Sequence, residues 1–183
     1  MLTSTDFSGL INDRFFQNFF PIPATNELRS GMLTPDFELP DMTNGDRLRL
    51  SDYRGEKPVI LAFTRIFTEN QYCPFCFPHI KALNDNYELF QQQAVELWMI
   101  TSTDARQSKI VVRDLGLKMP LLSDPGCHTF RAYQTGQALG APLPAQFVLD
   151  SSGRLQYKHL FSFLDHNASV EKLLAAIELP QMG

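Results

Sequence analysis

The sequence predicts an α/β domain with a mixed central sheet and helices on both of its faces. Residues 58–64 and 95–101 are continuous apolar runs, as found in strands that are buried on both sides. Apolar residues recur at helical spacing between these runs, which indicates a β-α-β unit with parallel strands. Residues 146–150 and 154–159 flank a Ser-Ser-Gly turn, so they are expected to form an antiparallel hairpin.

The remaining elements follow in chain order. A second helix is expected after the second strand, with Thr103 or Asp104 as its N-cap and Gly116 at its end. Residues 121–123 predict a short third strand, and a last amphipathic helix is expected to stop at Pro180. This succession of elements is that of the thioredoxin fold.

Residues 1–33 are expected to form an N-terminal extension to a domain that covers residues 34–183. The extension carries four phenylalanines that share one stripe at helical spacing: Phe15, Phe16, Phe19 and Phe20. The stripe is expected to cover the core of the domain itself. An interface with a partner is the alternative interpretation.

Composition narrows the class of function. The net charge of −4 offers no basic face for nucleic acid or for an anionic membrane, so neither is expected as a partner. The first six residues lack the pattern of a secretory signal, and no apolar run is long enough for a membrane-spanning helix, so a cytoplasmic location is expected. Three cysteines are too few for a disulfide framework in a chain of 183 residues, and two of them are close together, which indicates reactivity or metal binding.

The candidate catalytic residues are Cys73 and Cys76 in the sequence Cys-Pro-Phe-Cys, between a buried strand and a helix. The N–H groups and the dipole at a helix N-terminus stabilise a thiolate by up to about 2 kcal/mol. Cys73 is therefore expected to attack a substrate. Cys76, one helical turn further on, is expected to resolve the resulting mixed disulfide. Pro78 fits the helix only if the first regular turn begins near residue 75.

A zinc or copper site is the alternative, because metal centres share the Cys-x-x-Cys spacing. Such a site would need two further ligands, for which His79 and the pair Cys127-His128 are candidates. The placement between strand and helix favours redox chemistry, and no cofactor is expected. His79 is expected to be a solvated residue or an electrostatic neighbour of the thiols, without a role of its own.

Two further residues have alternative interpretations. Cys127 is either a second resolving thiol or a small, partly buried side chain, and the latter is favoured. Pro144 precedes a strand that should lie beside the active helix. It either holds a cis bond and presents the preceding backbone to a substrate, or is an ordinary loop proline.

Four stretches, residues 34–40, 50–55, 58–63 and 147–153, resemble the alkyl hydroperoxide reductase and thiol-specific antioxidant group of the peroxiredoxins. The resemblance covers residues 32–178. It implies reduction of hydroperoxides through a cysteine at the position of Cys73, and homodimers. It also implies an external thiol reductant such as thioredoxin, glutaredoxin or glutathione.

The chain also departs from that group. Ile66 and Asn70 stand where typical members carry proline and threonine, and the arginine that helps to activate peroxide would fall near Pro144. The chain therefore resembles a peroxiredoxin-like subgroup with a thioredoxin-style pair, which implies a thiol–disulfide oxidoreductase and gives Pro144 a substrate-binding role.

Three expectations concern the surroundings of the thiols. By the resemblance to thioredoxins, Ala62 stands where they usually keep a buried carboxylate, so proton transfer from Cys76 is expected to use another group or water. Residues 66–72 are expected to form a lip over the thiols. The segment 66–80 holds no lysine or arginine, and Glu69 is close, so no local cation is expected to lower the thiol pKa further.

Overall fold

A computed structural model describes residues 7 and 9–178. The predictions for the first six residues and for Pro180 lie outside this part of the chain. Within it, no helix combines the length and the apolar character needed to cross a membrane.

The described chain alternates short helices and strands. The helices are α1 (Asp13–Gln17), α2 (Cys76–Asp85), α3 (Tyr87–Gln92), α4 (Ala105–Leu115), α5 (His128–Ala132) and α6 (Val170–Ile177), with a 3-10 helix at Leu50–Tyr53. The strands are β1 (Glu38–Pro40), β2 (Arg47–Arg49), β3 (Val59–Phe63), β4 (Ile66–Thr68), β5 (Gln71–Tyr72), β6 (Glu96–Thr101), β7 (Leu121–Ser123), β8 (Gln137–Ala138), β9 (Ala141–Pro142), β10 (Ala145–Leu149) and β11 (Leu155–Leu160).

The central sheet has five strands in the order β11-β10-β3-β6-β7. Strands β3, β6 and β7 are parallel, whereas β10 runs antiparallel to both β3 and β11. Every residue of β3 is buried, as its uninterrupted apolar run predicted, and every residue of β10 is buried as well. The structure confirms the mixed sheet of the thioredoxin fold.

Alternate residues of β3 face two separate cores. Ile60 and Ala62 belong to a cluster to which α2, α4 and α6 contribute Ile80, Val111 and Leu173. On the opposite face of the sheet, Leu61 and Phe63 pack with α5 and the 3-10 helix. Phe63 is at the centre of an aromatic group there, with ring centroids 4.9–5.6 Å from its neighbours. The strand that leads to the cysteines is therefore fixed from both sides.

Local sequence determines where the helices begin and end. Asp104 caps α4 through a capping box with Gln107, and Gly116 ends this helix at a left-handed φ of 58°, as expected. The helix predicted between the first two parallel strands is instead two helices, α2 and α3. Asn86 separates them: its backbone departs from helical dihedrals (φ −102°, ψ 10°), and its side chain donates a second hydrogen bond to the carbonyl of Ala82 (2.8 Å), beside that of its backbone N–H.

The N-terminal extension differs from its prediction. Helix α1 has only five residues, and the side chains it buries best are polar: Arg14 is 8% exposed and Asn18, its C-cap, 1%. Phe16 and Phe20 are 65% and 74% exposed. The expectation that the Phe stripe covers the core is therefore wrong for most of it. Polar side chains hold the extension because Arg14 and Asn18 find hydrogen-bond partners inside the protein. Helix α1 ends before Phe19 and Phe20, so the four rings do not form one helical stripe.

Only Phe15 of the stripe packs closely on the domain, against Gly140. A Cβ added to Gly140, at φ +89°, would lie 2.1 Å from the Phe15 ring. Gly45 has nearly the same φ, +88°, but open space around it. We expect Gly45→Ala to lower the free energy of unfolding by about 1–2 kcal/mol through backbone strain alone. Gly140→Ala should cost about 1 kcal/mol more, because the ring must move.

Urea denaturation of both variants measures this difference. Equal losses in the two variants would show that Phe15 does not pack against the domain as described.

Candidate active site

The cysteine pair is placed by a sharp turn between a hairpin and a helix. Strand β3 ends at Phe63, the hairpin β4–β5 follows, and Cys73 comes directly after it. The carbonyl of Cys73 accepts the N–H groups of Cys76 and Phe77, both at 3.0 Å, so Cys73 lies at the open N-terminal end of α2. Pro78 is the third residue of this helix, where a missing N–H costs nothing, which confirms the placement expected for it.

The surroundings of Cys73 favour its thiolate. The Cys76 thiol donates a hydrogen bond to the Cys73 sulfur, and the N–H groups of Phe75 and Cys76 add to it, with the charge of Arg65 as a further contribution. These interactions outweigh burial and lower the pKa of Cys73 to about 6. At neutral pH most of Cys73 is thus ionised, which is the reactive form.

Cys76 has the opposite character. It is fully buried, and its pKa is raised well above the ordinary value because it donates its proton to Cys73 and because burial disfavours a second charge. The hydroxyl of Thr64 is buried without a hydrogen-bond partner of standard geometry, but it lies close enough to stabilise a Cys76 thiolate. Thr64 and the backbone of Arg65 are therefore the polar groups that favour a Cys76 thiolate, at the place where Ala62 offers no carboxylate.

Arg65 is the cation that the sequence argument missed. Its guanidinium donates to the carbonyls of Ala138 and Leu139 and lies 4.7 Å from the centre of the Phe67 ring. Its own carbonyl accepts the N–H of Cys73 at 3.2 Å. The expectation of no local cation is wrong because Arg65 stands one residue before the segment 66–80. An arginine at the end of a buried strand was the available signal.

The segment 66–72 folds as the hairpin β4–β5, in which Ile66 pairs with Tyr72. An ion pair at 2.8 Å between Glu69 and Arg106 ties its turn to α4. Cys73 is only 4% exposed and Cys76 not at all, so Cys73 is the sulfur that a substrate reaches.

The loop before α6 forms the other border of the site. The ring of His166 stacks on Phe75 at a centroid distance of 3.7 Å and an angle of 8°. The side chain of Asn167 donates to the Phe75 carbonyl at 3.1 Å. Together with Pro74 and Leu164, these residues line an open groove of about 460 Å³ beside the cysteine pair. No spacing in the sequence indicated this contact.

His79 is not solvated, contrary to expectation. It is 9% exposed and donates its Nε2–H to the carbonyl of Ala168 at 2.9 Å. Burial lowers the pKa of His79 to about 4, so the ring is neutral. The sequence could not reveal this burial, because it depends on a loop nearly ninety residues further along the chain.

Cys127 lies away from the pair, in the core on the face of the sheet opposite α2. It is 1% exposed, and burial and the neighbouring Asp124 raise its pKa to about 11. These properties match the small buried side chain that the sequence favoured. Its position across the sheet from α2 keeps Cys127 away from His79. Among the described residues, no three His, Cys, Asp or Glu side chains are grouped as metal ligands.

Pro144 has the predicted position but not the predicted conformation. It is buried and directly precedes Ala145, which pairs with Phe63 at the end of β3 nearest the cysteines. No peptide bond in the described residues is cis, so the expected cis bond is wrong. The trans bond carries the extended chain from β9 straight into β10. Substrate binding by Pro144 stays a prediction.

We expect Arg65→Met to raise the pKa of Cys73 by up to about one unit, because the cation nearest to the thiolate is lost. The pH dependence of alkylation of Cys73 by iodoacetamide, with the modified residue mapped by mass spectrometry, measures this pKa. Arg113→Met is the matched control, since Arg113 is exposed on α4 and its partner is the neighbouring Asp114. An unchanged profile for Arg65→Met would contradict the role of this cation.

The buried His79 predicts a loss of stability in acid. The folded pKa of about 4 lies below the ordinary 6.5, so the unfolded chain binds the proton more tightly. Stability should therefore fall as the pH drops from about 6.5 to about 4, by about 3 kcal/mol. Urea unfolding at several pH values tests this. His79→Gln should flatten the dependence and His128→Gln, at an exposed position, should not; equal pH dependence in both variants would refute the assignment.

Comparison with known proteins agrees with this geometry. Residues 31–158 match the sequence model of the AhpC/TSA family. The chain is 30% identical over 132 residues to the thiol-disulfide oxidoreductase ResA of Bacillus subtilis, covering 70% of this chain and 65% of that protein. It is 24% identical to the peroxiredoxin Bcp of Escherichia coli K12, over 72% and 85% of the two chains.

The fold agrees as well. The crystal structure of the peroxidoxin BcpB from Mycobacterium tuberculosis superposes with a TM-score of 0.68 at 24% identity, over 82% of this chain and 97% of that one. The family match covers more than half of the chain and includes both cysteines of the pair. The chain therefore belongs to the AhpC/TSA family of thiol-dependent oxidoreductases, within the thioredoxin superfamily.

Proposed function

We propose that the protein reduces disulfides by thiol–disulfide exchange, with Cys73 as the attacking residue and Cys76 as the resolving residue. The observation that carries this proposal is the opposite protonation of two adjacent sulfurs, since the pKa of Cys73 is lowered to about 6 while that of Cys76 is raised. The likeness to ResA, a thiol-disulfide oxidoreductase, supports it.

The reaction proceeds in two exchanges. The Cys73 thiolate attacks one sulfur of the substrate disulfide, which gives a mixed disulfide and releases the other sulfur as a thiolate. With the charge on Cys73 gone, Cys76 no longer donates its proton to a thiolate, and it loses this proton to the departing thiolate or to water. Thr64 then stabilises the Cys76 sulfur, which attacks Cys73, frees the second substrate thiol and leaves a Cys73–Cys76 disulfide. Two electrons and two protons from an external dithiol, or from two thiol molecules that become a disulfide, restore the pair.

A second candidate reaction is the reduction of a hydroperoxide. It is favoured by the small exposed area of Cys73, which a slim substrate reaches more easily than a protein disulfide, and by the cation Arg65 beside the sulfur. The thiolate attacks the terminal oxygen, forms a sulfenic acid and releases an alcohol. Cys76 then attacks this sulfur, which forms the disulfide and expels water.

The partners follow from this chemistry. The oxidised pair needs a thiol reductant, for which we propose thioredoxin, glutaredoxin or glutathione, in a reducing compartment such as the cytoplasm. The three cysteines are free thiols. We also propose that the protein forms a homodimer, as its resemblance to the peroxiredoxins implies.

The decisive experiment compares three serine variants in disulfide reduction and in stopped-flow reaction with a hydroperoxide. Cys73→Ser should abolish both reactions. Cys76→Ser should retain the first step but stop at a mixed disulfide or a sulfenic acid, which mass spectrometry identifies. Cys127→Ser is the matched control and should keep full turnover, because that thiol is buried and protonated at neutral pH.

Retained turnover in Cys73→Ser would overturn the proposal. Hydroperoxide consumption much faster than disulfide reduction by the unaltered protein would make the second candidate the principal reaction.

A further inference from the structure

Arg14 of the N-terminal extension contacts the β4–β5 hairpin, which precedes the cysteine pair in the chain. The residue lies outside residues 31–158, which match the family, and is 8% exposed. Its guanidinium donates to the carbonyl of Ser102 at 2.9 Å, to the Ser102 hydroxyl at 3.2 Å and to the carbonyl of Ile66 at 3.4 Å. It also donates to the carbonyl of Phe67. One side chain thus joins two separate segments of backbone.

These two segments determine where Cys73 lies. Ile66 and Phe67 belong to β4, whose partner β5 ends at Tyr72, directly before Cys73. Ser102 follows the last residue of β6, a central strand of the sheet. Arg14 therefore fastens the hairpin that leads to Cys73 to the rigid part of the fold.

The charge of Arg14 is buried at a cost. The hydrogen bonds of its guanidinium go to carbonyl and hydroxyl oxygens, and its buried Nε has no hydrogen-bond partner among the described residues. Cys127 and Asp104 favour the charge electrostatically, whereas Arg65 opposes it. An apolar side chain would fill the same space without the desolvation of a cation. What arginine supplies here is the planar fork of donors that spans both segments at once.

The same extension also supports Arg65, by a second route. The carbonyls of Asn18 and Phe19 accept the N–H groups of Gly140 and Leu139, each at 3.0 Å. The guanidinium of Arg65 donates to carbonyls in this same turn between β8 and β9. The extension thus contacts both the hairpin before Cys73 and the turn that holds its cation.

We propose that α1 is a positioning element of the active site, in which Arg14 is the positioning residue that holds the β4–β5 hairpin and with it the backbone of Cys73. The inference rests on the proposed role of Cys73 as the reacting thiol. It assigns a function in catalysis to a segment that lies outside the family match.

The test compares Arg14→Ala and Arg14→Lys with the control Phe16→Ala, which alters an exposed neighbour on the same helix. The first readout is the pH profile of Cys73 alkylation by iodoacetamide, and the second is hydrogen exchange of the amides of residues 66–72. Arg14→Ala should raise the pKa of Cys73 and speed exchange in the hairpin. A rise of one unit from about 6 would slow alkylation at pH 6 about fivefold, because the thiolate fraction falls from about one half to about one tenth.

Arg14→Lys should give an intermediate shift, since a single ammonium reaches one segment but not both. If Arg14→Ala does not fold, Arg14→Lys alone tests whether Arg14 positions the hairpin and Cys73. Phe16→Ala should leave both readouts unchanged. A folded Arg14→Lys with the profile and exchange of the unaltered protein would overturn the inference, as would equal changes in Phe16→Ala.

Cys73 alkylation and amide hydrogen exchange can both be measured without substrate turnover. The positioning role of Arg14 can therefore be tested independently of the proposed reductase activity. An unaltered protein without reductase activity, combined with a shifted profile in Arg14→Lys, would remove the proposed function and leave the positioning role.

Discussion

Hydrogen bonds that converge on the sulfur of Cys73 are the constraint on which the rest of the site depends. They require backbone N–H groups that make no regular i→i−4 hydrogen bond, and the N-terminal end of α2 supplies those of Phe75 and Cys76. They also require a second thiol one turn away that keeps its proton. The Cys-Pro-Phe-Cys turn meets both demands, and the two cores beside β3 hold that turn in a fixed place relative to the sheet.

The sequence predicted what depends on local pattern. The apolar runs that became β3 and β6 and the cap at Asp104 were placed correctly, because each follows from residues within a few positions of one another. The cysteine pair at the beginning of α2 was found for the same reason. The break at Asn86 is the exception, since the apolar residues keep their helical spacing through it while the backbone of Asn86 departs from helical dihedrals.

What the sequence did not reveal depends on contacts between distant segments. The burial of His79 depends on the loop before α6, and the hold on Arg65 depends on the turn between β8 and β9. Arg14 reads as an ordinary surface residue in a Phe-rich stretch until its carbonyl partners, more than fifty residues away, are known. Hydrophobicity suggested that the phenylalanines would be buried, whereas in the structure hydrogen bonds bury Arg14 and most of the rings stay exposed.

The stack of Phe75 on His166 has a consequence for protein engineering. Exchange of the dipeptide between the paired cysteines is one way to redesign such a site, and it treats the dipeptide as an independent unit. Here Phe75 offers both its ring and its carbonyl to one loop, through His166 and Asn167. Another residue at position 75 would keep the carbonyl that accepts from Asn167 but lose the ring that stacks on His166. A dipeptide transferred from another protein therefore has to be transferred together with the loop that it contacts.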